Sequence, residues 1–340
     1  MKKIIISFGL IALLAVLSVG GYVSYIISQS YQGPDVIFTV HTGDTFGRVN
    51  QRLFNQGLIA DKRFFHYWAK YKNNLSKLKA GSFTIPNGAS IPKVLDTLVN
   101  GQPILSSVTI PEGKNMYEVA RMLSLAGITS EEEFLSVIQN PEFLSQHNVE
   151  ASSLEGYLYP ETYRFAPNTP ARAVAKTMID LFNKKTSGIN FDHPFLNKHQ
   201  VIILASMVEK ETGAKHERPA IAGVFTNRLK KRMRLESDPT TIYGIWERYK
   251  GNIRKADLLE LTPYNTYKIP ALPAGPIANP SLEAIQAVLN PQQHEYFFFV
   301  SKNDGTHVFT KSYSDHMNAV RDFQINANAR KGKSWRDLKQ

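Results

Sequence analysis

The sequence predicts an α+β protein: an N-terminal transmembrane helix, a repeated strand–turn–helix module and a mixed α/β domain. Three observations carry this expectation. An uncharged, mostly apolar run extends from Ile4 to Ile27. A pattern of strand-forming residues and glycines recurs at a constant offset of 70 residues within positions 36–130. Beyond residue 150, helical apolar periodicity alternates with Pro- and Gly-dense loops that still carry Asn, Thr and Tyr. The three parts are placed at 1–28, 36–130 and 150–340, with a linker near 146–153.

Lys2 and Lys3 precede the apolar run, whose length exceeds the roughly 20 residues a helix needs to cross a bilayer. Paired lysines favour a cytoplasmic N-terminus and leave everything after Ser28 outside the cytoplasm. A cleaved signal peptide has a shorter apolar core ending near small residues, here Ser18 or Gly20. The run instead continues through Tyr22, Val23, Tyr25, Ile26 and Ile27, which favours an uncleaved, single-pass anchor in the plasma membrane. The 340 residues contain no cysteine, so no disulfide framework, thiol nucleophile, cysteine metal site or lipid-modified cysteine is available. A net charge of +11 suits an anionic partner such as a membrane surface or an acidic polymer. Nucleic acid is not expected as a partner, because the chain reads as exported and carries no nucleic-acid motif. The basic residues are also dispersed, as on an ordinary solvated surface.

The repeat begins with Phe38-Thr-Val40, Gly43, Val49, Leu53 and Gly57, and returns as Val108-Thr-Ile110, Gly113, Val119, Leu123 and Gly127. A looser copy runs from Phe83-Thr-Ile85 through Gly88, Val94 and Leu98 to Gly101. Each copy reads as a short strand, a glycine turn and a helix ending at or before the last glycine. One such unit cannot bury its own apolar face, so the copies should pack together. The layout resembles the LysM-like module that binds amino-sugar polymers; the alternative is a packed spacer without a ligand. Phe64, Phe65, Tyr67 and Trp68 could stack on sugars, although aromatics at helical spacing also build cores. Ser130 before Glu131-Glu132-Glu133 marks the start of a further short helix, to about Gln146.

The chemistry concentrates in Val201-Ile-Ile-Leu-Ala-Ser-Met-Val-Glu-Lys-Glu-Thr212, a helix with Asn197 as N-cap and Gly213 as a stop. At about 100° per residue, Glu211 falls between Leu204, Met207 and Val208, inside the apolar arc. Glu209 points away from the centre of that arc, towards Ser206. A carboxyl group on a buried face must be paired or protonated. A protonated carboxyl at neutral pH is what a general acid requires. The helix alone leaves open a frayed last turn or a structural ion pair. A second helix follows over about Arg218 to Lys231, with Ile221, Val224, Phe225 and Leu229 as its apolar face. The stiff stretch from Tyr264 to Pro280 could form the wall of a sugar groove.

Six separated motifs then stand in order: Leu154-Glu-Gly-Tyr-Leu-Tyr-Pro-Glu-Thr-Tyr163, Val208-Glu-Lys-Glu-Thr212, Asn227-Arg-Leu229, Leu235-Glu-Ser-Asp-Pro-Thr240, Tyr264-Asn-Thr-Tyr267 and Leu272-Pro-Ala-Gly-Pro-Ile277. Together they resemble the YceG-like family of endolytic murein transglycosylases, over nearly the whole chain. The resemblance implies cleavage of the β-1,4 bond between N-acetylmuramic acid and N-acetylglucosamine inside peptidoglycan glycan strands, leaving a 1,6-anhydro end. It assigns the acid/base to the second Glu of Glu-Lys-Glu-Thr, here Glu211, the residue the helical wheel selects. Asn227, Asp238, Tyr243, Asn265 and Tyr267 are candidates for holding the substrate. Membrane and peptidoglycan strands are the expected partners, with peptidoglycan synthases as a further possibility, and the enzyme would act on nascent strands. No metal and no cofactor are expected, since no His-Glu-x-x-His run or phosphate loop occurs. Two alternatives remain: a hydrolytic muramidase with Asp238 or Glu161 as a second carboxylate, and a wall-binding scaffold without chemistry.

Overall fold

The computed structural model describes residues 2–41 and 43–326, which fall into two compact units. The first comprises the chain up to Ser106 together with Arg164–Pro167; the second comprises Ser107–Tyr163 and the chain from Asn168.

In the first unit, α1 (Lys2–Ser28) leads into β1 (Val36–Val40), α2 (Phe46–Asn55), α3 (Lys62–Tyr71), β2 (Gly81–Ile85) and α4 (Ile91–Asn100). The first two repeat copies meet through their strands: β1 pairs antiparallel with β2, from Val36 opposite Ile85 to Val40 opposite Gly81. Phe38, Val49, Leu53, Phe65, Phe83, Val94 and Leu98 form the shared core, all essentially buried. Asp61 caps α3 by accepting from the amides of Arg63 and Phe64, at 2.7 and 2.9 Å. Of the aromatics on α3, Phe65 is core, Phe64 and Trp68 are half-buried and Tyr67 is exposed. Among the described residues no helix is long and apolar enough to cross a membrane. The expected anchor draws much of its apolarity from side chains up to residue 12, which lie outside the described residues.

The rest of the chain carries β3 (Ser106–Thr109), α5 (Met116–Leu125), α6 (Glu131–Ile138), α7 (Pro141–Gln146), β4 (Thr162–Phe165), α8 (Ala171–Thr186), α9 (Lys198–Glu211), α10 (Arg218–Lys230), α11 (Asp238–Gly244), α12 (Lys255–Leu259), α13 (Leu282–Leu289), β5 (Phe298–Ser301), β6 (His307–Thr310) and α14 (Tyr313–Val320), all in the second unit except the first residue of β3 and the last two of β4. Its strands form two small ladders, β3 with β4 and β5 with β6. The third repeat copy lies here, and its helix ends as the first one does. Gly57 and Gly127 adopt φ of +69° and +67°. The amides of Leu58 and Ile128 reach back to the carbonyls of Leu53 and Leu123, each at 3.0 Å. This is the Schellman closure that a glycine at the C′ position permits.

α9 is the centre of the unit. Asn197 and Gln200 form a reciprocal capping box at its start, and every residue from Val201 to Val208 is buried. It packs on α10, α11 and α13. α10 also departs from the predicted one-sided face, since Ala220 to Thr226 are buried without interruption. Neighbours on several sides give α9 and α10 continuous burial, so the helical wheel marks only the last, partly solvated turns.

Candidate active site

Glu211 closes α9, where the helix emerges from the core. The residue is part-exposed, yet the protein packed around its carboxyl group pushes the pKa up to about 7. The negative charge of Asp238 raises it further, while a hydrogen bond from the Ser237 hydroxyl and the charge of Arg228 pull it down. Ser237 donates that bond to Glu211 Oε1 and is itself buried. Its own amide donates to Thr266 Oγ1 at 3.0 Å, and Thr266 exchanges a 2.8 Å bond with Thr240. The 237–240 turn and the 265–267 turn are thereby locked together behind the carboxyl group.

Glu209 sits two residues earlier on the same helix and serves another purpose. It accepts from Arg218 Nη2 at 2.6 Å, from Ser281 Oγ at 2.6 Å and from the Ser281 amide at 3.0 Å. Both Glu209 and Arg218 side chains are 5% exposed. This is a buried ion pair tying α9, α10 and the start of α13, in which the Glu209 carboxylate accepts three hydrogen bonds and has little room for chemistry.

Arg228 is pinned deeper in the fold. Its guanidinium group donates to the carbonyls of Phe297 at 2.6 Å and Leu235 at 2.9 Å. It presents a fixed positive charge towards Glu211 and Glu236.

The five residues expected to hold substrate divide. Asp238 is exposed beside Ser237 and accepts from the Tyr267 hydroxyl at 2.8 Å, so Glu211, Ser237, Asp238 and Tyr267 form one cluster. Asn265 stands behind it, fully buried. Its Nδ2 donates to the carbonyls of Asp257, Leu258 and Glu260, and its Oδ1 accepts from Thr241 and the Tyr267 amide. It shapes the turn that carries Tyr267. Asn227 donates to the carbonyls of His294 and Tyr296 at 2.8 and 3.1 Å, which fastens the approach to β5. Tyr243 directs its hydroxyl to Glu155 Oε2 at 2.9 Å. Glu161 is exposed and lies 3.8 Å from Lys185.

Several residues escaped the sequence reading although they stand inside its motifs. Ser237 and Arg228 are two. Glu155 is a third: it is buried, with its pKa pushed up to about 8, chiefly by loss of water. It accepts from the Met116 amide at 2.8 Å, from Tyr243 and from Asn279 Nδ2 at 3.2 Å. Asn279 Oδ1 in turn accepts from the amides of Gly156 and Leu158, both at 2.9 Å. Only membership of a polar motif pointed to these residues; their partners lie far away in sequence. Among the described residues, no group of three His, Asp or Glu side chains could hold a metal ion.

A carboxylic acid held near neutral pKa at a part-open helix end, steadied by a buried hydroxyl and flanked by a Tyr–Asp pair, is an arrangement suited to acid/base chemistry by one group. Residues 38–322 match the YceG-like family, and the chain belongs to that family. An endolytic murein transglycosylase of Bacillus subtilis (strain 168) is 30% identical over 302 residues, covering 84% of this chain and 83% of the relative. A protein of the same name from Streptococcus pneumoniae (strain D39) is 30% identical over 356 residues; the match covers 93% of this chain but only 64% of that longer relative. The crystal structure of a YceG-like protein from Listeria monocytogenes superposes with a TM-score of 0.59 at 26% identity, over 84% of this chain and 99% of that one.

Proposed function

We propose that this protein is a lytic transglycosylase that cuts peptidoglycan glycan strands internally, with Glu211 as its single acid/base. The observation that carries the reading is the carboxyl group of Glu211, held protonated to about pH 7 on a residue that is partly exposed. Protonated Glu211 donates to the glycosidic oxygen between N-acetylmuramic acid and N-acetylglucosamine. The bond from that oxygen to the anomeric carbon breaks, and the carbon acquires oxocarbenium character. The carboxylate then takes the proton of the substrate's own C6 hydroxyl as O6 closes on the anomeric carbon, giving a 1,6-anhydro end. No water is consumed and the acid is regenerated. Because nucleophile and electrophile share one sugar, the closure gains the advantage of an intramolecular reaction, worth on the order of 7–11 kcal/mol when well oriented.

Ser237 keeps the carboxyl group in one rotamer, and Asp238 with Tyr267 faces the sugar beside it. A negative charge at Asp238 favours both a protonated Glu211 and a developing oxocarbenium ion. The apolar run before Ser28 anchors the protein in the plasma membrane with the enzyme outside the cytoplasm. From there it acts on nascent strands near their synthases and limits strand length. The names of the relatives and the family match support the reaction; the composition of residues 4–27 supports the anchor.

The test is mass spectrometry of glycan incubated with the protein and with its Glu211→Gln variant. Anhydro-ended fragments, lighter by one water than hydrolysed ones and absent with the variant, are expected. Free reducing ends would make the protein a muramidase and turn attention to Asp238 as a second carboxylate. No cleavage by the parent would favour a wall-binding scaffold. Removal of residues 1–28 should change glycan length in cells, and unchanged lengths would remove the anchor from the account.

A further inference from the structure

The second unit holds a cavity of about 510 Å³ whose wall includes four aromatic side chains, Tyr117, Tyr243, Trp246 and Tyr264. Tyr117 and Trp246 lie nearly parallel, 11° apart with centroids at 6.0 Å, and Tyr243 and Tyr264 approach to 4.7 Å. Tyr117, Trp246 and Tyr264 are half-buried, so each keeps some surface accessible. Polar side chains, Gln139, Ser152 and Ser153, and the charged Glu247 and Arg248 border the same space. Flat aromatic faces with a few hydrogen-bonding groups match a sugar ring, which offers C–H surface on one side and hydroxyl or acetamido groups at its edge.

The cavity is rigidly connected to Glu211. α11 starts beside Ser237, which holds the Glu211 carboxyl group, and ends at Tyr243 and Gly244, which line the cavity. At 1.5 Å per residue, the axial distance along α11 from Ser237 to Tyr243 is about 9 Å. The aromatic wall is equally well supported. The Tyr243 hydroxyl is fixed on buried Glu155, whose other oxygen receives Asn279. Gly244 has no room for a Cβ, which would come within 2.6 Å of Thr262 Oγ1.

Resting on the transglycosylase reading, we infer that the Tyr117–Trp246–Tyr243–Tyr264 cavity is a distal sugar subsite that grips the glycan strand at a fixed spacing from Glu211. A strand must then extend beyond the scissile bond to be held well, and the spacing selects which bond is cut. Binding at this subsite makes the enzyme sensitive to strand length.

Binding is measured by calorimetry on the full-length Glu211→Gln protein, with N-acetylglucosamine oligomers of increasing length as probe. Affinity should rise as the oligomer becomes long enough to fill the cavity. Adding Trp246→Ala or Tyr117→Ala should weaken binding of the longest oligomer by about tenfold, the order expected for losing one large aromatic contact. Trp246→Phe should restore most of it. Equal affinities in parent and alanine variants would overturn the subsite. So would a parent that binds a free stem peptide through Trp246 but not the oligomers. If the alanine variants fail to fold, the indole N–H resonance of Trp246 in the parent decides: it must shift on titration, and an unmoved resonance overturns the inference. None of these readouts requires turnover, so a protein that binds through Trp246 but never cleaves would refute the proposed activity while leaving the subsite in place.

Discussion

Two glutamates two residues apart on one helix carry different duties because their neighbours differ. Glu209 receives a guanidinium, a hydroxyl and an amide; Glu211 receives one hydroxyl, sits near the charge of Asp238 and loses water. The protonated form required in the first step persists to about pH 7, so kcat/KM should fall as pH rises through that value. The Ser237 hydrogen bond favours the carboxylate. Ser237→Ala should therefore move the alkaline limb of the pH–rate profile to higher pH, with a lower maximum because the carboxyl group is no longer oriented. A limb that moves down or stays would mean that Ser237 does not act on Glu211. The position of Glu211 was legible in the sequence because a helix has a fixed period and one carboxyl group fell in its apolar arc. Ser237 was not, since it is 26 residues away and only the turn of the chain brings it to the helix end.

α9, α10 and α13 are fastened by the Glu209–Arg218–Ser281 cluster, which is almost fully buried. Removing one partner leaves an uncompensated charge in the core. Arg218→Ala should cost about 3–5 kcal/mol in chemical denaturation, because such a change typically breaks a buried pair at that cost. A loss below 1 kcal/mol would show that water reaches Glu209. Asn279 plays a comparable part for loops: it joins the Gly113–Asn115 turn, the 154–158 segment and the entry to α13. Asn279→Ala should release Glu155 and Tyr243 and reduce binding at the aromatic cavity as well as stability, seen as a lower midpoint and weaker oligomer affinity in the same preparation. The repeated strand–turn–helix pattern could be read directly because its signals are local: alternation, a glycine with positive φ and an i, i+4 stripe. The burial of α10 on all sides could not be read, since its sequence resembles an amphipathic surface helix until several partners are packed against it.

For the whole molecule, Glu211 and Glu155 both have folded-state pKa values raised above the ordinary carboxylate range, to about 7 and about 8. Between roughly pH 4.5 and 8 these two groups therefore bind more protons in the folded protein than in the unfolded chain. Stability contributed by these groups is present below that window and is lost as pH rises through it, levelling off above about pH 8. Between pH 5 and 8 the denaturation midpoint of Glu211→Gln should therefore rise relative to that of the parent, and the variant should be at least as stable as the parent at pH 8. A variant less stable at every pH would show that the charged carboxylate is favoured in the fold. Period and spacing were enough to reveal the three repeat copies and the helix that ends in two carboxylates, one of them in its apolar arc, and six ordered motifs carried the resemblance to the family, because each is written in neighbouring or regularly spaced residues. The assembly of the site depended on the folded chain. Whether Asn265 faces a sugar or a loop, and that Tyr243 belongs to an aromatic cavity instead of the acid/base cluster, follow from contacts between segments 24 to 124 residues apart. Hydrogen bonds and desolvation act through space, and a linear sequence does not state which distant groups will share that space.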